Sequence, residues 1–366
     1  MLGRLLGGVS TSLLFSVFDA WLIRSHSDAD LPKSLLSKSF STAAFGNSIV
    51  AIIAGLVGNK IAHTSMTQVS GTIYVGRFLN PFDLAILALV LCGLCARFMW
   101  EENYGHSDSL SDEKVDLGKG ETKWYAGLQD ALVATMRNRD IFLCGIVSAF
   151  FEGSMYSELR QWTCDIICCS LFSTIFIVFV FMWTPLLTSS DPGKGELPFG
   201  VIFSTFMVFC MTGSSLFSIL VQRFSVEKLG VGIFAVGSVA MLLVALHINE
   251  TVSFMGMNLF EVCVGMYFPI MGTMKGSIVP ENKRAAIYNL YRIPLNFIVV
   301  LSLLADPTPS VAFAINFVMM LVATLLQGIL AIRRNDRNEA SDRTVSDGAR
   351  VEVVPLILQD AAGDHV

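Results

Sequence analysis

Residues 307–332 read PTPSVAFAINFVMMLVATLLQGILAI, 26 positions without a single charged side chain. An α-helix rises about 1.5 Å per residue, so roughly 20 such residues cross the ~30 Å hydrocarbon layer of a bilayer. Four further stretches repeat the pattern: residues 39–59, 166–190, 197–222 and 229–249 also lack Asp, Glu, Lys and Arg throughout. Across the 366 residues, 53% are hydrophobic and 15% charged, where a soluble protein carries about 25% charge. Mean hydropathy is +0.62. The chain therefore reads as an all-α polytopic membrane protein.

With that class set, a net charge of −5 gives no argument for nucleic acid or acidic partners. The eight cysteines lie mostly inside apolar runs, where a free thiol behaves as a small hydrophobe. Cys92 and Cys95 form a CxxC, but no His or second CxxC stands at zinc-finger spacing. No phosphate loop, metal cluster or nucleophile with a nearby base is present, so the reading is neither an enzyme nor a cofactor protein. The apolar start contains Arg4 and runs into Asp19 without a small-residue cleavage site, which makes the first helix itself the membrane signal.

Helical spans are predicted at 3–23, 43–62, 82–100, 141–157, 164–187, 199–221, 230–248, 252–275, 286–305 and 310–332. Residues 107–123 are rich in Ser, Asp, Glu, Lys and Gly and bury too little apolar surface to order themselves. The predicted organisation is a three-helix block over 1–100, a central loop over 101–139, a six-helix block over 140–332 and a disordered tail over 333–366. Cytoplasmic loops carry the excess of Lys and Arg. Arg24, Lys33 and Lys38, the five Lys/Arg residues between Lys114 and Arg139, Arg223 with Lys228, Lys283 with Arg284, and Arg333, Arg334 and Arg337 fall in alternate loops. That places the central loop and the C-terminus in the cytoplasm. The alternation holds only if residues 141–187 cross the membrane an odd number of times, so part of 157–174 is expected to be extruded or re-entrant.

Several strings resemble one family. Gly3-Arg4-Leu5-Leu6-Gly7-Gly8-Val9-Ser10-Thr11, continued by Phe18-Asp19-Ala20-Trp21, is similar to the fourth helix of the molybdate-anion transporter family of the major facilitator superfamily. Trp100-Glu101-Glu102-Asn103-Tyr104-Gly105, Phe151-Glu152-Gly153-Ser154-Met155-Tyr156, Phe179-Val180-Phe181-Met182-Trp183-Thr184-Pro185 and Phe260-Glu261-Val262-Cys263-Val264-Gly265 extend the resemblance. Ile278-Val279-Pro280-Glu281, with Arg284, Asn289, Arg292, Ile293, Pro294, Leu295 and Asn296, carries it into the tenth and eleventh helices.

The resemblance implies a secondary transporter working by alternating access between two six-helix halves. Its substrate would be molybdate or a similar oxyanion, with a coupled proton or cation, in the plasma membrane. It also implies that this chain begins inside the fourth of twelve helices, leaving about nine in a partial major facilitator fold. Residues 157–176 interrupt what the family runs as one helix and are read as an insertion. A non-transporting truncated isoform or fragment is the competing reading.

Ionisable residues at membrane depth cost about 2.5–3.5 kcal/mol on insertion scales, so each is a functional candidate. Tyr288, Arg292 and Asn296 recur every four residues with Asn289 alongside, giving a polar stripe on an apolar helix. The guanidinium fork of Arg292 suits the oxyanion that the resemblance implies, and the asparagines and tyrosine are expected to complete its shell. The alternative is a structural ion pair between Arg292 and a carboxylate such as Glu261. Glu152 and Tyr156 share a helix face, and with Glu261, Asp19 and Arg4 they form the candidate coupling or ion-pair set.

Overall fold

A computed structural model of the chain describes residues 10, 13–14, 16–62, 64–71, 73–76, 79–100, 126–156, 199–305 and 308–360. Arg4, the polar run 107–123, the insertion 157–176 and the predicted span 164–187 lie outside them.

The elements in order are α1 (Val17–Asp28), α2 (Lys33–Ala62), β1 (Thr67–Ser70), β2 (Ile73–Val75), α3 (Asn80–Met99), α4 (Ala126–Arg137), α5 (Arg139–Tyr156), α6 (Phe199–Leu220), α7 (Val226–Leu246), α8 (Glu250–Ile278), a 3-10 turn (Glu281–Lys283), α9 (Arg284–Ala305) and α10 (Pro309–Asp360). Among the described residues, six stretches are long and apolar enough to cross a membrane: Ser34–Ala62, Asn80–Met99, Gly200–Leu220, Val226–Leu246, Glu250–Ile278 and Ser310–Arg337. Helix α5 falls short of that apolarity because it carries Arg139, Asp140 and Glu152, and α9 carries Arg284 and Arg292. These two helices line the cavity described below.

Helix α8 is the hub, packed against α6, α7, α2 and α5. Buried residues occupy 72% of its most apolar window, against none in that of α3, whose large side chains all face outward. Phe151 of α5 anchors the junction by stacking on Tyr267 of α8 at 3.9 Å between ring centroids, with Phe234 and Phe260 at 5.4 and 5.7 Å. Helices α6 and α8 cross almost backbone to backbone. A Cβ at Gly213 would collide with the Val262 carbonyl, and one at Gly265 with that of Cys210.

Three sequence expectations need correction. Helix α2 begins at Lys33, ten residues before the predicted start, because its polar first turns are amphipathic. Leu36 and Phe40 are buried against α8, while the Ser41 hydroxyl donates to the Ser214 carbonyl at 2.7 Å and that of Thr273 to Ser37 at 3.2 Å. Within the central loop, residues 126–137 form helix α4, which seats Ala131 and Thr135 against its neighbours α5 and α9. A short antiparallel hairpin, β1 with β2, adds a little strand to an otherwise all-α chain.

The tail differs most, since α10 continues to Asp360 through the stretch predicted to be disordered. Polarity suggested disorder, but ion pairs hold the first turns beyond the apolar span. Arg333 Nε lies 3.1 Å from Asp140 Oδ1, Arg337 Nη2 lies 2.8 Å from Asp140 Oδ2, and Arg334 Nε lies 2.7 Å from Glu227 Oε1. Asp140 is 2% exposed, whereas its arginine partners are 37% and 61% exposed. Removing the cations therefore strands a buried charge, while removing the carboxylate leaves two arginines that water can solvate. The Arg333→Ala/Arg337→Ala double variant is expected to cost about 3 kcal/mol and Asp140→Ala about 1 kcal/mol. Thermal unfolding in detergent checks the order of the two.

Candidate functional site

Four helices converge on a cavity of about 40 Å³: α1 supplies Asp19; α5 Ser148 and Glu152; α8 Tyr267, Phe268, Met271, Gly272 and Lys275; and α9 Tyr288, Tyr291 and Arg292. By this measure a single water needs about 10–15 Å³, so the space suits about three waters or one small inorganic anion. Helix α1 precedes the central segment and the other three follow it. The cavity thus lies between the two blocks of the chain.

Lys275 sits in the last turn of α8, and helical side chains lean toward the N-terminus, which brings its ammonium back into the bundle. There Nζ is 3.5 Å from Glu152 Oε1 and lies over the rings of Tyr288 and Tyr291, 5.8 and 5.9 Å from their centroids. Negative ring faces and a carboxylate together make a cation tolerable at that depth. The Tyr267 hydroxyl donates to the same Glu152 oxygen at 2.8 Å, so Oε1 is shared between an ammonium and a phenol. Asp19 of α1 lines the same cavity as Lys275 and Glu152.

On α9, the Tyr291 hydroxyl donates to the Ile141 carbonyl at 2.7 Å and fixes this helix to the start of α5. The Tyr288 hydroxyl is buried at the cavity and has no hydrogen-bond partner among the described residues. Outside the bundle, Arg24 of α1 pairs with Asp28 and with Glu281, which connects α8 to α9. The Glu281 hydrogen bond, and after it that of Asp28, pushes the Arg24 pKa upward from its ordinary value.

The structure places the expected residues unevenly. Tyr288 and Arg292 line the cavity, as do Glu152 and Asp19. Asn289 and Asn296 do not. At about 100° per residue, Arg292 and Tyr291 stay within ~60° of Tyr288, whereas both asparagines fall ~80–100° away. Asn289 instead donates to the Ala285 carbonyl of its own helix at 3.0 Å, and Asn296 is exposed.

Glu261 is buried at 4% exposure, yet it stands 14 residues from Lys275, about 21 Å along α8. No ion pair among the described residues joins it to Arg292, and its Oε2 has no hydrogen-bond partner there. Tyr156 ends α5, with its side chain outside the described residues, and Arg4 is outside them altogether. Tyr267 and Tyr291 are cavity residues that the sequence reading did not single out, and Lys275, which it places below Glu261 on the same span, is one to which it gives no role. Lys275 carried the clearest signal, as the sole basic residue within the 29 residues of α8.

A profile of sugar transporters with twelve transmembrane helices matches residues 1–169 and 164–267. Among curated proteins, the molybdate-anion transporter of Xenopus tropicalis is 30% identical over 314 residues, which is 82% of this chain and 58% of that protein. Those of Xenopus laevis and Takifugu rubripes are each 29% identical, over 92% and 83% of this chain and 67% and 60% of their own lengths. The chain thus spans about three fifths of the relatives it matches. Among solved structures, the Escherichia coli fucose:proton symporter FucP aligns with a TM-score of 0.44 and 14% identity, over 69% of this chain and 55% of that one. A bacterial homologue of the iron transporter ferroportin, in an outward-facing state, aligns at 0.44 with 11% identity over the same shares. With its helical bundle, its apolar spans, the profile match and the curated relatives, the chain is a multi-pass membrane protein that belongs to the major facilitator superfamily, in the family of the molybdate-anion transporters.

Proposed function

We propose that the chain carries the binding site of a secondary active transporter for molybdate or a similar small oxyanion, working by alternating access. The observation that carries this reading is the pairing of Lys275 and Arg292 in one small cavity between the two blocks. Arg292 offers a planar fork of donors, Lys275 a compact charge and Tyr288 a buried hydroxyl, which together suit a tetrahedral dianion. Drug-sized ligands occupy pockets of about 300–1,000 Å³, so a cavity this small and charged favours an inorganic anion over a sugar. Transporter sites between repeats place charged groups in this way.

Uptake of labelled molybdate into cells expressing the chain tests the reading. Saturable uptake, competed by tungstate or sulfate and not by glucose, is the expected result. Competition by glucose alone would overturn the oxyanion assignment. Molybdate binding without uptake would identify a non-transporting form of the protein.

The Lys/Arg alternation supports a cytoplasmic central loop and C-terminus. A glycosylation reporter fused after Arg337 is expected to stay unmodified, and a glycosylated reporter would reverse the orientation.

A further inference from the structure

We propose that Arg284 is a further oxyanion-binding residue, which together with the Tyr288 hydroxyl extends the site one helical turn from the cavity toward the α8–α9 connection. This rests on the oxyanion reading above and adds a residue to the same site. Arg284 opens α9 and Tyr288 follows it by four residues, so the two share a helix face about 6 Å apart along the axis. Both are buried, at 7% and 4% exposure. Arg284 Nε and the Tyr288 hydroxyl are each shut off from solvent, with no hydrogen-bond partner among the described residues. Two neighbouring groups able to donate, one of them charged, thus stand in the interior without an acceptor.

Counter-charge is missing as well. Other basic residues at this end of the bundle have carboxylates: Arg24 has Asp28 and Glu281, Lys275 has Glu152, and Arg334 has Glu227. Arg284 is in no ion pair among the described residues. Its Nη2 lies 3.4 and 3.5 Å from the carbonyl oxygens of Gly276 and Val279 at the end of α8. That end carries about half a negative charge from the helix dipole, which seats the guanidinium without matching its charge. A guanidinium kept only as a cap would be free to turn Nε to water, whereas here Nε is buried. A single water could accept from Nε but could not neutralise it, and an unpaired buried cation is costly. An oxyanion supplies both the acceptor oxygens and the negative charge. Tyr288 also lines the cavity that holds Lys275 and Arg292, so its hydroxyl is the link between that cavity and Arg284.

The test is isothermal titration of the purified full chain with sodium molybdate in nanodiscs of zwitterionic lipid, alongside thermal unfolding of the anion-free protein. Zwitterionic lipid provides no net negative headgroup to take the place of molybdate at Arg284. Arg284→Gln keeps an amide for the α8 carbonyls and removes the charge. It is expected to lower affinity by about tenfold or more, while the melting temperature of the anion-free protein stays the same or rises, because an uncompensated charge has left the interior. Tyr288→Phe is expected to lower affinity by about threefold or more, and the double variant to lose less than the product of the two, because both groups act on one anion. Arg284→Lys, which keeps the charge and loses the Nε donor, stands in if Arg284→Gln does not fold, and is expected to bind about threefold more weakly. Wild-type affinity in the Arg284 variant would make Arg284 a cap of α8 only, and would overturn the extension while leaving the cavity of Lys275 and Arg292 in place. Losses that multiply in full would overturn it too. Failure of the wild-type chain to bind molybdate would overturn the oxyanion site and its extension together.

Discussion

Arg292→Lys is expected to lower molybdate binding and uptake, per folded protein, by at least about tenfold, while leaving the amount of folded protein nearly unchanged. Tenfold corresponds to about 1.4 kcal/mol, less than a well-formed bidentate charge-assisted contact commonly contributes. Lysine keeps the charge and much of the reach but loses the planar fork. A residue that served only to neutralise a carboxylate would therefore tolerate the change, and one that grips a tetrahedral anion would not. Lys275 gives the complementary test, because it already pairs with Glu152 in the cavity. Lys275→Met removes a cation from the wall and leaves Glu152 partly buried without its ion pair, so both binding and folded yield should fall. Glu261→Gln is the control. Glu261 is in no ion pair among the described residues and lies about 21 Å along α8 from Lys275, so molybdate binding per folded protein should match wild type. Binding of labelled molybdate to detergent-solubilised protein, normalised to the folded fraction, separates the three cases. If Arg292→Lys binds as wild type does, Arg292 is part of the helix architecture.

The fold was largely legible because a bilayer reads composition in long blocks. Residues 307–332 and 229–249 had to be helical, since every backbone polar group in hydrocarbon needs an internal partner. Helices α10 and α7 lie there as expected. Less legible were the elements whose order comes from tertiary contact. Helix α4 depends on seating Ala131 and Thr135 against its neighbours, and α10 depends beyond Ile332 on Asp140 and Glu227, both distant in sequence. Local polarity carries no record of such partners.

The candidate site was half legible for a geometric reason. Intramembrane charge pointed to Arg292, Glu152 and Asp19, all of which line the cavity. The four-residue spacing that drew in Asn296 treated i and i+4 as one direction, but each such step turns about 40°. Two steps are enough to leave the face. Lys275, below Glu261 on the same span, has no role in the sequence reading, and it stands three residues from the end of α8, where a lysine normally snorkels outward to water. Its inward course is set by Glu152 and the two tyrosine rings, which only packing brings near.

Gly265→Ala is expected to have the largest effect on folding of any single methyl addition in the bundle. A Cβ there would collide with the Cys210 carbonyl on α6, and the neighbouring Gly213 meets the Val262 carbonyl of α8 in the same way. Flexible side chains yield to a new methyl, but two helix backbones in contact can only move apart. Separation at this crossing would also loosen Phe206, Phe217, Phe260 and Cys263, all buried in the same core. Overpacking costs about 1–3 kcal/mol where side chains absorb it, so a clash with backbone should reach ~3 kcal/mol or more. Gly232→Ala in α7 is the matched control: nothing lies within 4 Å of its added Cβ, so the change should be neutral or stabilising by up to ~1 kcal/mol through helix propensity. Thermal unfolding and monodisperse yield in detergent measure both. The crossing also positions the site, since Tyr267 is two residues beyond Gly265 on the same helix and holds Glu152. Any Gly265→Ala protein that does fold should therefore bind molybdate more weakly than Gly232→Ala. A Gly265→Ala variant with wild-type melting temperature and wild-type binding would mean that α6 and α8 stand further apart than their backbones do here.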